Sequence, residues 1–348
     1  MIREALADVV EGRSLPFDRA HDAMGEIMDG QASPAQIGAF LVALRAKGES
    51  VDEIAGMAAA MRERCASIRG PPDGRLVDLC GTGGAPLRTF NVSTIATFVV
   101  AGAGVAVAKH GNRAVTSACG SADLLEALGV RVDLEPAEVE RVLREIGLCF
   151  MFAPKFHPAM RHAAGPRREI GVRTIFNVLG PLTNPAGAKG HVLGVFSPDL
   201  VDRLPAVAAR LGIERALIVH GQAGVDEICL CCPTLVGEVN EGTTDRYVLR
   251  AEDLGLDAAR PEDLVGGEPA EAAEETLRIL RGERGPKRDM VLANAAGGIY
   301  VAGRTSSIAE ALPLAAESLD SGRALHRLRD LVRATGGDMA KVEDDGRA

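Results

Sequence analysis

The sequence predicts an α/β protein in two parts: a small N-terminal all-helical domain over residues 1–70, and a large α/β domain over 71–348 with a central, largely parallel sheet. Three observations carry this. Apolar residues recur at helical spacing through the first seventy positions. The stretch "RGPPDGR" (69–75) then breaks that rhythm with two prolines and two glycines. Beyond it, short apolar runs alternate with amphipathic ones, the pattern of βα units.

In the first part, Ile2, Leu6, Val9 and Val10 share one face of a helix. Ala20, Met24, Ile27 and Met28 share another, followed by Ile37, Phe40, Leu41 and Leu44, then Ile54, Met57, Ala58 and Met61. Ser33 with Gln36 and Ser50 with Glu53 have capping-box spacing. In the second part strands are expected at 76–80, 105–109, 130–134, 149–153, 191–196 and 216–220, with helices at 136–147 and 198–211 between them. Helices at 269–281, 287–296 and 306–319 follow, and one more ends near Thr335. The polar end "GGDMAKVEDDGRA" is expected to fray.

Bulk properties narrow the function. The 348 residues are 47% hydrophobic and 25% charged, without a run of apolar residues long enough to span a bilayer. The start "MIREALADVVEGRS" is interleaved with acids and lacks the pattern of a signal peptide, so a cytoplasmic location is expected. Seven cysteines read as reduced thiols. In "CLCC" (229–232), strand alternation would send successive thiols to opposite faces, and buried thiols are the better reading than a metal site. A net charge of -9 argues against a broad nucleic-acid surface and leaves room for a local basic pocket. The expected partner is a small molecule.

Ligands of an open parallel sheet sit beyond the carboxyl ends of its strands, so the loops there matter most. In "GTGGAPLRTFNVST" (81–94), Gly81, Gly83 and Gly84 permit close backbone approach, and Asn91, Ser93 and Thr94 stand where a helix begins. This is an anion-binding arrangement, although a tight turn with an ordinary cap fits the glycines and hydroxyls equally well. In "KHGNRAVTSACGSADLLEALG" (109–129), Lys109, His110, Asn112, Arg113, Thr116, Ser117 and Ser121 gather cations, an amide and hydroxyls at a neighbouring strand end. In "GVDEI", Asp226 and Glu227 are either solvated charge or oxygen ligands for magnesium beside a phosphate.

These segments, with "FAPKFHPAMRHAAGPRREIGVRTIFNVLGPLTNPA" (152–186), resemble the anthranilate phosphoribosyltransferase family in order and spacing, from the helical start to about Ala302. The resemblance implies a nucleoside phosphorylase/phosphoribosyltransferase-like fold, a homodimer formed through the small domain, and a magnesium-dependent transfer from phosphoribosyl pyrophosphate to the anthranilate amine in tryptophan biosynthesis. It implies that a segment near 160–185 packs with the small domain, and that 171–185 touches a hinge. It assigns Gly81, Gly84, Thr89, Asn91, Ser93, Thr94, Lys109, Asn112, Ser117 and Ser121 to phosphoribosyl pyrophosphate or its surroundings. Anthranilate falls to Gly81, His110, Asn112 and Arg167, with the roles of Arg167 and Arg168 left open between them, and magnesium to Ser93, Asp226 and Glu227. No side chain is assigned as acid or base, and Lys109 is the leading candidate for offsetting charge on the departing pyrophosphate. The chain departs from the family at "GTGGAP", where the usual pattern is "GTGGDG": Ala85 replaces an acid, Pro86 removes an N–H, and Arg88 adds a cation nearby. Two other readings remain at this stage, a pyrimidine nucleoside phosphorylase-like enzyme and a paralogue that binds nucleic acid; "KHGN" and "RTIFNVLGPLTNP" disfavour the first, and the net charge disfavours the second.

Overall fold

A computed structural model describes residues 1–71, 75–84, 86, 87, 89–114 and 118–343. The chain opens with helices α1 (Ile2–Val10), α2 (Phe17–Met28), α3 (Pro34–Lys47) and α4 (Val51–Glu63). Both capping boxes form: the Ser33 and Ser50 hydroxyls accept from the Gln36 and Glu53 N–H groups, and each N3 side chain returns a bond to its cap. Glu53 does more than cap. Fully buried, it also accepts from the Leu15 N–H at 2.9 Å and from Lys47 at 2.9 Å, tying three segments of the bundle to one carboxylate. Its removal leaves these donors unmatched in an apolar interior, a loss of about 3 kcal/mol or more.

The second part runs β1 (Val77–Gly81), α5 (Val92–Gly102), β2 (Val107–Gly111), α6 (Ser121–Ala127), α7 (Pro136–Ile146), β3 (Leu148–Phe152), α8 (Ala153–Phe156), α9 (Arg161–Ile170), α10 (Phe176–Leu182), β4 (Gly190–Gly194) and α11 (Pro198–Arg210). It continues with β5 (Arg215–Gly221), β6 (Thr234–Asn240), β7 (Thr243–Leu249), α12 (Pro269–Leu280), α13 (Pro286–Val301), α14 (Ile308–Asp320) and α15 (Arg323–Ala334). The sheet has the order β3-β2-β1-β4-β5-β6-β7, with the first five strands parallel and the last two antiparallel. Strand order reverses between β1 and β4, which marks the crevice where a ligand is expected in such sheets.

Two apolar cores sandwich the sheet. One joins α5, α7, α13, α14 and α15 to it; the other joins the opposite face to α11, α10 and the helical bundle. Ala163 of α9 and Ile175, Phe176, Val178, Leu179 and Leu182 share this second core with α1 to α4. Arg62 of α4 donates to the carbonyls of Leu182 at 2.7 Å and Leu211 at 2.8 Å, so one guanidinium clamps the bundle to the ends of α10 and α11. Among the described residues no helix is long and apolar enough to cross a membrane.

Three sequence expectations need correction. Residues 130–134 form no strand: Val130, Val132 and Leu134 are buried in alternation, but the Arg131 N–H donates to Thr335 Oγ1 rather than to a ladder. The C-terminal stretch is docked through Glu343, with the Asp338 N–H on the Gly129 carbonyl and Val342 fully buried, while residues 344–348 lie outside the described ones. The hairpin β6–β7 is absent from the expected strands. Its two-residue turn, Glu241 and Gly242, has φ of 49° and 91°, the double left-handed geometry that matches strand twist. Tyr247 of β7 and Tyr300 of α13 both donate to Glu238 of β6, pinning the hairpin to the helix layer.

Candidate functional site

At the switch point, β1 ends in Gly81 and β4 in Gly194, paired in register. The Thr82 N–H continues the ladder to the Gly194 carbonyl at 2.9 Å, and the Thr82 hydroxyl accepts from the Phe196 N–H at 3.0 Å. Asp226, beyond β5, packs directly on both glycines: a Cβ at Gly81 would lie 2.6 Å from Asp226 Oδ2, and one at Gly194 would lie 1.6 Å from the Asp226 carbonyl oxygen. Only glycine admits this contact. Asp226 Oδ2 accepts from the Gly83 N–H at 2.9 Å, where Gly83 and Gly84 have φ of 67° and 72°. The loop then leans on the turn after β5, the Leu87 N–H donating to the Gly224 carbonyl and Pro86 packing on Gly224. Ala85 and Arg88, which set this chain apart in sequence, lie outside the described residues.

Glu227 faces the Ser93 N–H at the start of α5, with Lys109 close by. Burial, and then repulsion from Asp226, push the Glu227 carboxyl well above its usual range, while Lys109 and the Ser93 N–H oppose the shift. Asp226 is raised as well, chiefly by burial. Carboxyl groups raised in this way are disfavoured as anions when alone, and a cation set between them would favour their charged form. With the Ser93 hydroxyl they form an all-oxygen donor set, which fits magnesium, an ion that completes its shell with water and substrate phosphates.

Lys109 is itself only 3% exposed, its ammonium bonded to the Leu79 carbonyl and, at 3.3 Å, to Ser93 Oγ. Burial lowers its pKa, and Asp78 opposes this. The cation therefore acts from beneath the loop. Asp78 is the residue that sequence reasoning missed here: hidden in the apolar run "RLVDLC", it is fully buried and accepts from Asn184 Nδ2 at 2.7 Å and the His110 N–H at 3.2 Å. Burial raises its pKa to about 6. A carboxylate inside an otherwise apolar strand run was the available signal, since buried acids need partners.

The other loops close around the same crevice. Asn91 caps α5 and donates through Nδ2 to the Cys119 carbonyl at 3.1 Å, bridging the loops after β1 and β2. Thr94 is buried in the first turn, and Thr89 bridges to Val265. The Asn112 carbonyl accepts from Ser121 Oγ and from the Ala122 N–H, each at 3.2 Å. Arg113 takes no place at this rim, because its guanidinium is engaged by Glu126 at 2.7 Å and Asp123 at 3.2 Å over the Phe152 ring. Thr116 and Ser117 lie outside the described residues.

The far side is of another character. His110 packs against His157 with ring centroids 5.1 Å apart and planes tilted by 50°, and burial drives their pKa values down to about 3 and about 4. Both rings are uncharged at neutral pH, and each keeps a buried Nε2 without a partner among the described residues. Arg167, on α9, is half-buried with its guanidinium 4.9 Å from the Phe176 ring. Arg168 is exposed on the same helix. Phe176 opens α10, whose Gly180 backbone holds the His110 ring, so α10 carries both groups. Sequence reasoning also passed over His157, whose signal was its place in "FHPAM", and Arg173, which donates to the Gly84 carbonyl from above the Phe196 ring.

A helical bundle joined to a parallel sheet, with glycine and hydroxyl loops converging on a carboxylate pair, defines a two-domain transferase that handles a phosphorylated substrate. Comparison with known proteins makes this specific. The family described as glycosyl transferase family, helical bundle domain, matches residues 3–65, and its a/b domain matches residues 73–325. The anthranilate phosphoribosyltransferase of Pelotomaculum thermopropionicum is 53% identical over 336 residues, covering 97% of each chain. The crystal structure of the Thermus thermophilus anthranilate phosphoribosyltransferase superposes with a TM-score of 0.91 at 46% identity, covering 95% of this chain and 99% of that one. The Saccharomyces cerevisiae enzyme, in complex with phosphoribosyl pyrophosphate and magnesium, gives a TM-score of 0.87 at 27% identity, with coverage of 96% and 98%. The chain belongs to the anthranilate phosphoribosyltransferases of the glycosyl transferase family.

Proposed function

We propose that the chain transfers the phosphoribosyl group of phosphoribosyl pyrophosphate to the amine of anthranilate, giving N-(5-phosphoribosyl)anthranilate and pyrophosphate, a step of tryptophan biosynthesis. The observation that carries the reading is the crevice between β1 and β4, with a carboxylate pair on one side and, on the other, two neutral imidazoles with one guanidinium. On the first side Gly81, Gly84, Thr89, Asn91, Ser93, Thr94, Asn112, Ser117 and Ser121 bind the phosphorylated sugar, with backbone N–H groups at the start of α5 directed at its oxygens. Ser93, Asp226 and Glu227 hold magnesium, which supplies charge neutralisation to the departing pyrophosphate. Lys109, behind Ser93, adds positive potential without leaving its buried position.

On the second side Arg167 pairs with the anthranilate carboxylate, while Gly81, Asn112 and the neutral His110 ring border the aromatic amine. As the bond from C1 to pyrophosphate breaks, the sugar carbon becomes oxocarbenium-like and the amine nitrogen attacks it. The amine is already neutral, so positioning of two substrates provides most of the acceleration. Closure of the bundle over the crevice about 171–185 excludes water, and the bonds of Arg62 to the Leu182 and Leu211 carbonyls join the two parts beside that segment. Two copies pair through the helical domain, where Val10 and Val42 are exposed apolar groups on α1 and α3.

Anthranilate fluorescence tests the reading. It falls with time when phosphoribosyl pyrophosphate and magnesium are added together, and stays constant when either is withheld. Constant fluorescence under every combination overturns the proposal. Sedimentation at micromolar concentration tests the pairing, which a sharp monomer boundary rules out.

A further inference from the structure

Between β5 and β6 the chain makes a bent excursion, residues 222–233, in which Cys229, Cys231 and Cys232 fall together. The expectation that alternation would disperse these thiols assumed a strand. No strand forms there, and the bends bring the three Sγ atoms within 4.8 Å of one another, with Cys229 and Cys231 Sγ 3.1 Å apart. The geometry points to a three-thiolate site for a soft d10 metal ion of the zinc(II), cadmium(II) or copper(I) class, formed by Cys229, Cys231 and Cys232.

Size is the first argument. Metal–sulfur bonds of about 2.3 Å in a trigonal arrangement place the sulfurs about 4.0 Å apart, inside the span that these atoms already occupy. The 3.1 Å pair of Cys229 and Cys231 has to open by about 0.9 Å, which side-chain rotation supplies. The second argument is that the backbone is already set for sulfur as acceptor: the Cys231 N–H donates to Cys229 Sγ at 3.3 Å, and the Ala223 N–H donates to Cys232 Sγ at 3.2 Å. Such N–H donors stabilise a thiolate and orient it, as outer contacts do around metal centres.

Preorganisation and access complete the case. The Cys229 N–H donates to Thr234 Oγ1 at 2.9 Å, the Gln222 N–H to the Pro233 carbonyl at 2.9 Å, and the Ala259 N–H to the Leu230 carbonyl at 3.0 Å, so the loop is fixed at both ends and its middle. Gly221 leaves the room, since a Cβ there would lie 2.9 Å from Cys229 Cβ and 3.3 Å from Cys232 Sγ. Cys229 is buried, whereas Cys231 and Cys232 are half-buried and reachable by a hydrated ion. Three soft donors select against magnesium, so this site and the carboxylate pair do not compete for one ion. The inference stands independently of the transferase reading.

The test uses the full chain, stripped of metal and reduced with a phosphine, titrated with cadmium(II). A thiolate-to-cadmium charge-transfer band saturating at one equivalent per chain, with three thiols protected from a disulfide reagent, is the expected result; zinc(II) in excess should erase the band. Cys229→Ser/Cys231→Ser/Cys232→Ser should abolish it, and Cys149→Ser, on buried β3, should leave it intact. If the triple variant fails to fold, Cys231→Ser alone should reduce the protected thiols from three to two. Absence of the band in the unmodified chain overturns the site, as does its persistence in the folded triple variant.

Discussion

The two sides of the crevice differ in how they treat charge. Around β1, β2 and β5 the chain buries Asp78 and Lys109 and places Asp226 and Glu227 against α5, leaving carboxyl groups raised by burial. Around α9 and α10 it keeps two imidazoles uncharged and a single guanidinium over an aromatic ring. The first side is built to receive a polyanion together with its cation, the second a flat neutral amine carrying one carboxylate. An enzyme that joins such partners needs both environments on one crevice so that the reacting atoms meet, and a switch point in a parallel sheet supplies two unlike walls by construction.

If the first wall is a magnesium site, Asp226→Asn with Glu227→Gln lowers turnover roughly 1000-fold and raises the magnesium concentration needed for half-maximal rate. An unchanged magnesium titration breaks the comparison at its charged side. The same wall depends on backbone proximity: Gly194→Ala forces a methyl into the Asp226 carbonyl and costs about 3 kcal/mol in urea unfolding, with turnover falling alongside. A fully stable, fully active variant contradicts the contact.

The second wall is sharpened by Arg167→Ala, expected to raise the anthranilate KM roughly 50-fold, with little change in that for phosphoribosyl pyrophosphate. Equal effects on both substrates identify Arg167 as a folding residue.

A smaller effect tests how deep the neutrality runs. His191, fully buried in β4, has its pKa lowered from 6.5 to about 4 by burial. As pH falls through 6.5 the unfolded ring takes a proton that the folded ring refuses until about 4, so stability is present above that window and is lost toward its acid end. At pH 5 the loss is about 2 kcal/mol, and His191→Asn should narrow the difference between urea midpoints at pH 7 and pH 5 accordingly. Asp78 acts in the opposite sense and is common to both proteins. An identical pH dependence removes His191 from the account.

Much of this architecture is legible in the sequence because it rests on local rules. Ser33 and Ser50 cap where their spacing says, helix periodicity marks the bundle, and the five parallel strands follow their apolar runs. What escaped reading depends on distant partners. Residues 130–134 alternate as a strand does, yet they lie against the C-terminal segment, and no property of Val130 or Val132 announces that. The hairpin after Pro233 was obscured because β7 is an exposed edge whose Thr243, Thr244, Asp245 and Arg246 carry no apolar signal, although "NEGT" was a readable turn. In the site, the loops declared themselves through glycine and hydroxyl content. Asp78 and His157 did not, because their meaning comes from Asn184, Lys109 and His110, brought to them only by folding.

One feature of the hairpin gives the molecule its optical character. The chain has no tryptophan and two tyrosines, and both phenols donate to Glu238 at a junction near the start of β5 rather than at the strand ends where the crevice lies. Intrinsic tyrosine emission therefore arises from a single locus and reports on the docking of the hairpin against α13. Nothing in the protein emits in the range of an aminobenzoate ring, so a bound acceptor would be seen against a dark background, and unfolding and substrate occupancy can be followed in one cuvette at two separate wavelengths.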